Sequence, residues 1–148
     1  MAITKHDPFD LERFVTAQNQ SYETALNELR CGAKQSHWIW YIFPQVAGLG
    51  FSTMSVRYAV KSKAEAKAYL AHPLLGQRLL ECADALLRLS GKTAHEVMGS
   101  PDDLKLKLHS SMTLFAAISP MDSLFHKVLE RYFDGKRDLA TERFLKDH

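Results

Sequence analysis

Cysteine is scarce in this chain: two residues in 148, Cys31 and Cys82. That excludes a disulfide scaffold, and their wide separation excludes a C-x-x-C redox or zinc motif. Both are therefore read as small buried hydrophobes of a protein in a reducing, cytoplasmic compartment. Glycine (7) and proline (5) are also sparse, which rules out collagen-like and low-complexity classes. Neither sign of charge dominates, with 19 Lys and Arg against 17 Asp and Glu, so there is no electrostatic case for nucleic acid or an anionic membrane as partner. No apolar run reaches signal-peptide or membrane-spanning length. The longest stretch without Asp, Glu, Lys or Arg, Gln35 to Val56, is interrupted by Pro44, Gly48 and Gly50, and its continuous apolar part is only Trp38 to Phe43.

What is present is an ordinary globular composition, 46% hydrophobic and 24% charged, in a length suited to one domain over residues 1–148, with residues 1–6 expected to be flexible. Helical punctuation recurs throughout. Asp7 and Pro8 open a first helix over about residues 9–18, and Ser21 is placed to cap a second that Gly32 stops. Ser62 with Glu65, and Thr93 with Glu96, have capping-box spacing. After Pro73, Leu75, Leu79, Cys82, Ala83, Leu86 and Leu87 recur at helical spacing, ahead of Gly91. Ser100-Pro101-Asp102-Asp103 is a strong helix start. Beyond it Leu104, Leu108, Ser111, Met112 and Phe115 form one stripe, and Leu106, Ser110, Thr113 and Ala117 another. A helix over about residues 122–133 ends at Asp134-Gly135, and the turns from Asp138 to Leu145 bury Leu139 and Phe144.

Only Trp38 to Phe43 has strand-like composition, and it has no partner run to pair with. Residues 37–43 are read as a short buried helix ended by Pro44, and Phe51 to Val60 as a helix begun near Ser52. The expected fold is all-α: a single compact multi-helical domain of about seven to nine helices, with Trp38, Leu79, Leu86, Leu108, Met112, Phe115 and Leu129 inside.

Several longer stretches carry a resemblance. Asp7-Pro8-Phe9-Asp10-Leu11, Ser36 to Gln45, Gly48-Leu49-Gly50, Gly99 to Lys105 and Ser111 to Phe115 are similar to the bacterial domain-of-unknown-function 1810 family, from Asp7 to about Leu145. The resemblance implies a single all-helical domain of a small cytosolic protein and no established reaction. Some members carry the label calpastatin-like, but a compact helical pattern is unlike a disordered protease inhibitor.

For chemistry, the chain has no phosphate-binding glycine loop, no dinucleotide fingerprint and no nucleophile elbow. His95-Glu96 starts like a zinc-protease helix, but Gly99 stands where the second histidine belongs, and the seven histidines are never three or four apart. No metal and no cofactor are expected. The second long uncharged segment, Leu108 to Met121, should pack on the first, gathering Lys34, Ser36, His37, Trp38, Trp40 and Gln45 with Ser111 and Thr113. His109 is placed at the boundary of this group. Tryptophans offer stacking surface, His37 and Gln45 directional hydrogen bonds, and Lys34, Arg57, Lys61 and Lys105 flanking charge. The face is accordingly expected to bind a small polar or anionic, nucleotide-like ligand. Two alternatives stand beside it. One is a protein-interaction module using the surface from Trp38 to Phe51. The other is a hydrolase or transferase in which His37 activates Ser111, oriented by Asp102 or Asp103. Oligomeric state is left open.

Overall fold

In the computed structural model, which describes residues 6–99 and 103–148 (the side chain of Asp103 excepted), nine helices follow one another without a sheet. They are α1 Glu12–Cys31, α2 Ile39–Ile42, α3 Thr53–Arg57, α4 Lys63–Ala71, α5 Pro73–Arg88, α6 Ala94–Met98, α7 Asp103–Ala117, α8 Leu124–Phe133 and α9 Leu139–Asp147. The all-α reading holds. The expected start at Ser100-Pro101-Asp102 and the first five residues lie outside the described part.

Side-chain caps stand at several helix starts, and those at Ser62 and Thr93 fall where their spacing placed them. Ser62, Thr93, Ser123 and Asp138 each accept an N–H of the turn that follows, and Thr93 with Glu96 closes a reciprocal capping box. His72 does more than break the chain before Pro73: its Nδ1 accepts the N–H groups of Leu74 and Leu75, both at 3.2 Å, and so caps α5.

The N-terminal half departs from expectation. A single long helix, α1, replaces two, and Ser21 lies inside it. No proline or left-handed residue interrupts the chain there, and the continuous stripe Phe14, Gln18, Ala25, Leu26 and Leu29 is buried, which outweighs the capping tendency of one serine. The Ser21 hydroxyl instead accepts the Tyr41 hydroxyl at 2.9 Å. The helix begins later than Phe9 because Asp10 takes a left-handed conformation (φ 52°), while Asp7 accepts the N–H groups of Leu11 and Glu12 beyond it. It stops at Gly32, as expected, at φ 73°.

Helix α3 is shorter than the expected run to Val60. Val60 leaves it to form one parallel bridge with Val46: its N–H donates to the Gln45 carbonyl at 2.8 Å and its carbonyl accepts the Ala47 N–H at 2.9 Å. Three apolar assignments also fail. Leu106 and Leu139 are 56% and 67% exposed, because each lies on the solvent side of its helix. Cys31 is exposed at the last residue of α1, whereas Cys82 is buried as expected, and burial pushes its thiol pKa up to about 12.

The core forms where α5 and α7 meet α1, α4 and α8. Phe14, Trp38, Phe43, Tyr69, Phe115 and Phe125 are all fully enclosed there, together with the expected Leu79, Leu86, Leu108, Met112 and Leu129. Arg13 locks the start of α1 to the α3–α4 connection. Its guanidinium donates to the carbonyls of Phe9, Asp10, Arg57 and Ala59 and to Glu65 at 2.7 Å, satisfying all its N–H groups. Helices α4 and α5 approach so closely that a Cβ on Gly76 would stand 2.1 Å from the Leu70 carbonyl oxygen. Because the obstacle is backbone, Gly76→Ala is expected to destabilise the protein by about 3 kcal/mol in urea unfolding. An unchanged midpoint would show that the two helices can separate freely.

Candidate functional site

The residues expected to form one face are sorted by the structure into several places. After Gly32 the chain turns back along α1, and the carboxylate of Glu28 becomes its organising centre. Its Oε1 accepts the N–H groups of Gln35 (2.8 Å) and Ser36 (2.9 Å) and the indole Nε1–H of Trp38 (2.9 Å), while Oε2 accepts the Ser36 hydroxyl at 2.6 Å. Burial pushes the Glu28 carboxyl up, but the hydrogen bonds from Ser36, Gln35 and Trp38 together outweigh it and hold the pKa at about 2. Lys34 closes the arrangement, with Nζ donating to the Ser36 carbonyl at 2.6 Å and standing 4.9 Å from the Trp38 ring centre. Desolvation lowers its pKa and Glu28 opposes the shift.

Lys34, Ser36 and Trp38 are thus gathered as expected, but around an anion belonging to the protein. Trp38 is 1% exposed and offers no stacking surface to a ligand. Glu28 was missed. Its signal was an acid in the last turn before a glycine stop, where the helix dipole disfavours negative charge unless local donors hold it.

The other candidates lie elsewhere. His37 is exposed, and Trp40 is half-buried against the core. Gln45 Nε2 donates to the Ser110 hydroxyl at 2.7 Å, so the two uncharged segments do touch through α7, and Ser110 donates back to the Lys107 carbonyl. Thr113 donates to the His109 carbonyl and accepts the Asp138 N–H, each at 2.9 Å. Ser111 Oγ is fully buried without a hydrogen-bond partner, so the His37–Ser111 pair required for nucleophilic catalysis is not formed. Asp102 and the Asp103 side chain lie outside the described residues. Arg57 and Lys61 line a separate polar cavity with Arg13 and Asp10.

Aromatic and imidazole groups do meet in a concavity, formed by α6, α7 and α8. This pocket of about 250 Å³ is lined by His95, Lys105, His109, Tyr132 and Phe133, with Thr93, Ala94 and Leu106 at its edges. The local sequence explains the placement. Lys105 and His109 are four apart and share one face of α7. Phe133 ends α8, so its ring lies flat on His109, with centroids 4.3 Å apart and planes at 9°. The chain then leaves α8 through Asp134 and Gly135, both left-handed, and the Lys136 carbonyl comes within 2.8 Å of His109 Nε2. A carbonyl only accepts, so Nε2 carries a proton and donates it to Lys136. Tyr132 is anchored by its hydroxyl, which donates to the Leu86 carbonyl. Among the described residues no carboxylate lines the pocket. The pocket thus gathers two imidazoles, one ammonium and two aromatic rings. Among the described residues no three His, Cys, Asp or Glu side chains gather as a metal site.

A family described as proteins of unknown function, DUF1810, matches residues 8–145, and the chain belongs to it. The chain is also similar to a solved structure, the conserved hypothetical protein Rv1873 from Mycobacterium tuberculosis. They share 47% identity with a TM-score of 0.90, over 95% of this chain and 99% of that one. No curated protein matches. Among the described residues no helix is long and apolar enough to cross a membrane.

Proposed function

We propose that this protein binds a small planar anion, nucleotide-like in chemistry, in the pocket between α6, α7 and α8. The carrying observation is the parallel His109–Phe133 pair beside Lys105, in a pocket that no carboxylate lines among the described residues. A planar ring finds aromatic surface there, and an anionic group finds the Lys105 ammonium. The volume suits one ring system with one anionic group. This keeps the ligand class expected from the sequence and moves the site away from Lys34, Ser36 and Trp38, whose polar groups are taken up around Glu28.

A thermal-shift titration with adenosine 5′-monophosphate tests it, with adenosine and ribose 5-phosphate as half-ligands. At 100 times its dissociation constant a ligand stabilises the folded state by about 2.7 kcal/mol, visible as a rise of several degrees in a domain of this size. The monophosphate is expected to shift the midpoint more than either half, and Lys105→Gln and His109→Gln are expected to abolish the shift. No shift with any of the three, or a shift retained in both variants, would overturn the assignment.

A second reading, protein interaction near the Trp38 to Phe51 surface, is favoured by one observation. Phe51 is 88% and Val56 60% exposed, at the tip that carries α3, although buried Trp38 takes no part. A silent ligand titration together with partner capture that Phe51→Ser abolishes would favour it over the pocket.

A further inference from the structure

A second concavity, of about 280 Å³, opens on the other side of the segment joining α8 to α9. Its lining brings together Lys63 from the start of α4, Arg137 from that segment, and Glu142 and Lys146 from α9, over a floor of Thr113 and Leu145. Among the described residues none of the three cations makes an ion pair. Glu142 and Lys146 have i, i+4 spacing, the usual arrangement for a helical salt bridge, yet they do not form one. The charges therefore surround the cavity without neutralising each other.

Arg137 is held for this role by its neighbours. The Lys136 carbonyl accepts His109 Nε2–H at 2.8 Å, and the Asp138 N–H donates to Thr113 at 2.9 Å, so the backbone on either side of Arg137 is fastened to α7. Fixing the backbone that carries a cation removes part of the entropy lost when an anion binds, although the exposed Arg137 side chain itself stays unbonded among the described residues. The N–H of Lys63 is already used by the His148 carbonyl, which leaves the Lys63 ammonium as that residue's contribution.

Three cations select an anion, and Glu142, the one acidic side chain among the described lining residues, refines the choice. A fully deprotonated tetrahedral anion such as sulfate brings an unpaired oxygen against Glu142. Hydrogen phosphate carries a P–O–H that donates to the carboxylate while its other oxygens accept from Lys63, Arg137 and Lys146. We infer that the cavity lined by Lys63, Arg137, Glu142 and Lys146 is a hydrogen-phosphate site with Glu142 as its discriminator. This does not rest on the pocket between α6, α7 and α8, with which it shares no lining residue.

The test is a calorimetric titration of the whole protein with potassium phosphate and with potassium sulfate, at one pH and one ionic strength set with chloride. Phosphate is expected to bind about tenfold or more tightly than sulfate, the discrimination of one unsatisfied polar contact. Glu142→Gln, whose amide can donate, is expected to bring the two anions to within about twofold of each other, whereas Arg137→Gln is expected to weaken phosphate about tenfold. Equal affinities in the unmodified protein, no phosphate binding above chloride, or phosphate binding unchanged in an Arg137→Gln/Lys146→Gln protein would each overturn the inference. Loss of the nucleotide shift in Lys105→Gln with phosphate binding intact would separate the two sites.

Discussion

Truncating Phe115 to alanine is expected to destabilise the protein by about 3–5 kcal/mol, the range for removing a fully enclosed aromatic ring. The ring lies where α7 crosses the core, with centroid separations of 5.4 Å to Tyr69 and 5.8 Å to Phe125, and no part of it reaches solvent. Its removal loses the transfer free energy of the ring and opens a cavity that Tyr69 cannot fill, because the Tyr69 hydroxyl is held by Gln18 at 2.9 Å. The loss is a large fraction of the total stability of an ordinary domain, so Phe115→Leu, which retains most of the volume, provides a measurable intermediate. Urea unfolding of the three proteins checks the order. A loss under about 1 kcal/mol for Phe115→Ala would mean that the core closes around the gap.

Glu28→Gln is expected to show a loss of about 2–3 kcal/mol at neutral pH, since four charge-assisted hydrogen bonds become weaker or are broken. The loss should depend on pH in a particular sense. The folded-state pKa of Glu28, about 2, lies below the ordinary value of 4.5, so between these values the unfolded chain binds more protons than the folded one. The stabilisation from Glu28 is thus complete above about pH 4.5 and is lost as pH falls toward about 2. The difference between the two proteins should shrink over that window and vanish at its lower end. A pH-independent difference would show that the carboxylate's charge is not what holds residues 35–38. Trp38 fluorescence offers a second readout, because the indole N–H loses its charged acceptor in the variant.

Helix ends were legible in the sequence wherever a neighbouring residue marks them. Ser62, Thr93 with Glu96, and Gly32 all act where their spacing placed them, because capping is settled within about four residues of chain. The all-α class and the central stripes of α5 and α7 followed from the same local periodicity. Local reasoning failed where two tendencies competed and burial decided between them. Ser21 is a good cap in isolation, yet continuous packing of Phe14 through Leu29 carries α1 past it. Val60 continues an apparent helix, but its N–H is claimed by Gln45. Leu106 and Leu139 are apolar on faces that no neighbour covers.

The same division runs through the candidate sites. Lys34, Ser36 and Trp38 were marked as polar and aromatic groups in an uncharged segment, and they do converge. That they converge on Glu28, at the end of α1, depends on the chain doubling back after Gly32. Lys105 and His109 share a helix face by spacing alone, whereas Phe133 reaches His109 only because α8 packs against α7. Spacing within one helix is dictated by the 3.6-residue turn and is therefore written in the sequence. Which helix faces meet, and so which charges find partners and which are left lining a cavity, is decided by burial of the whole core at once, and only the tertiary structure records that outcome.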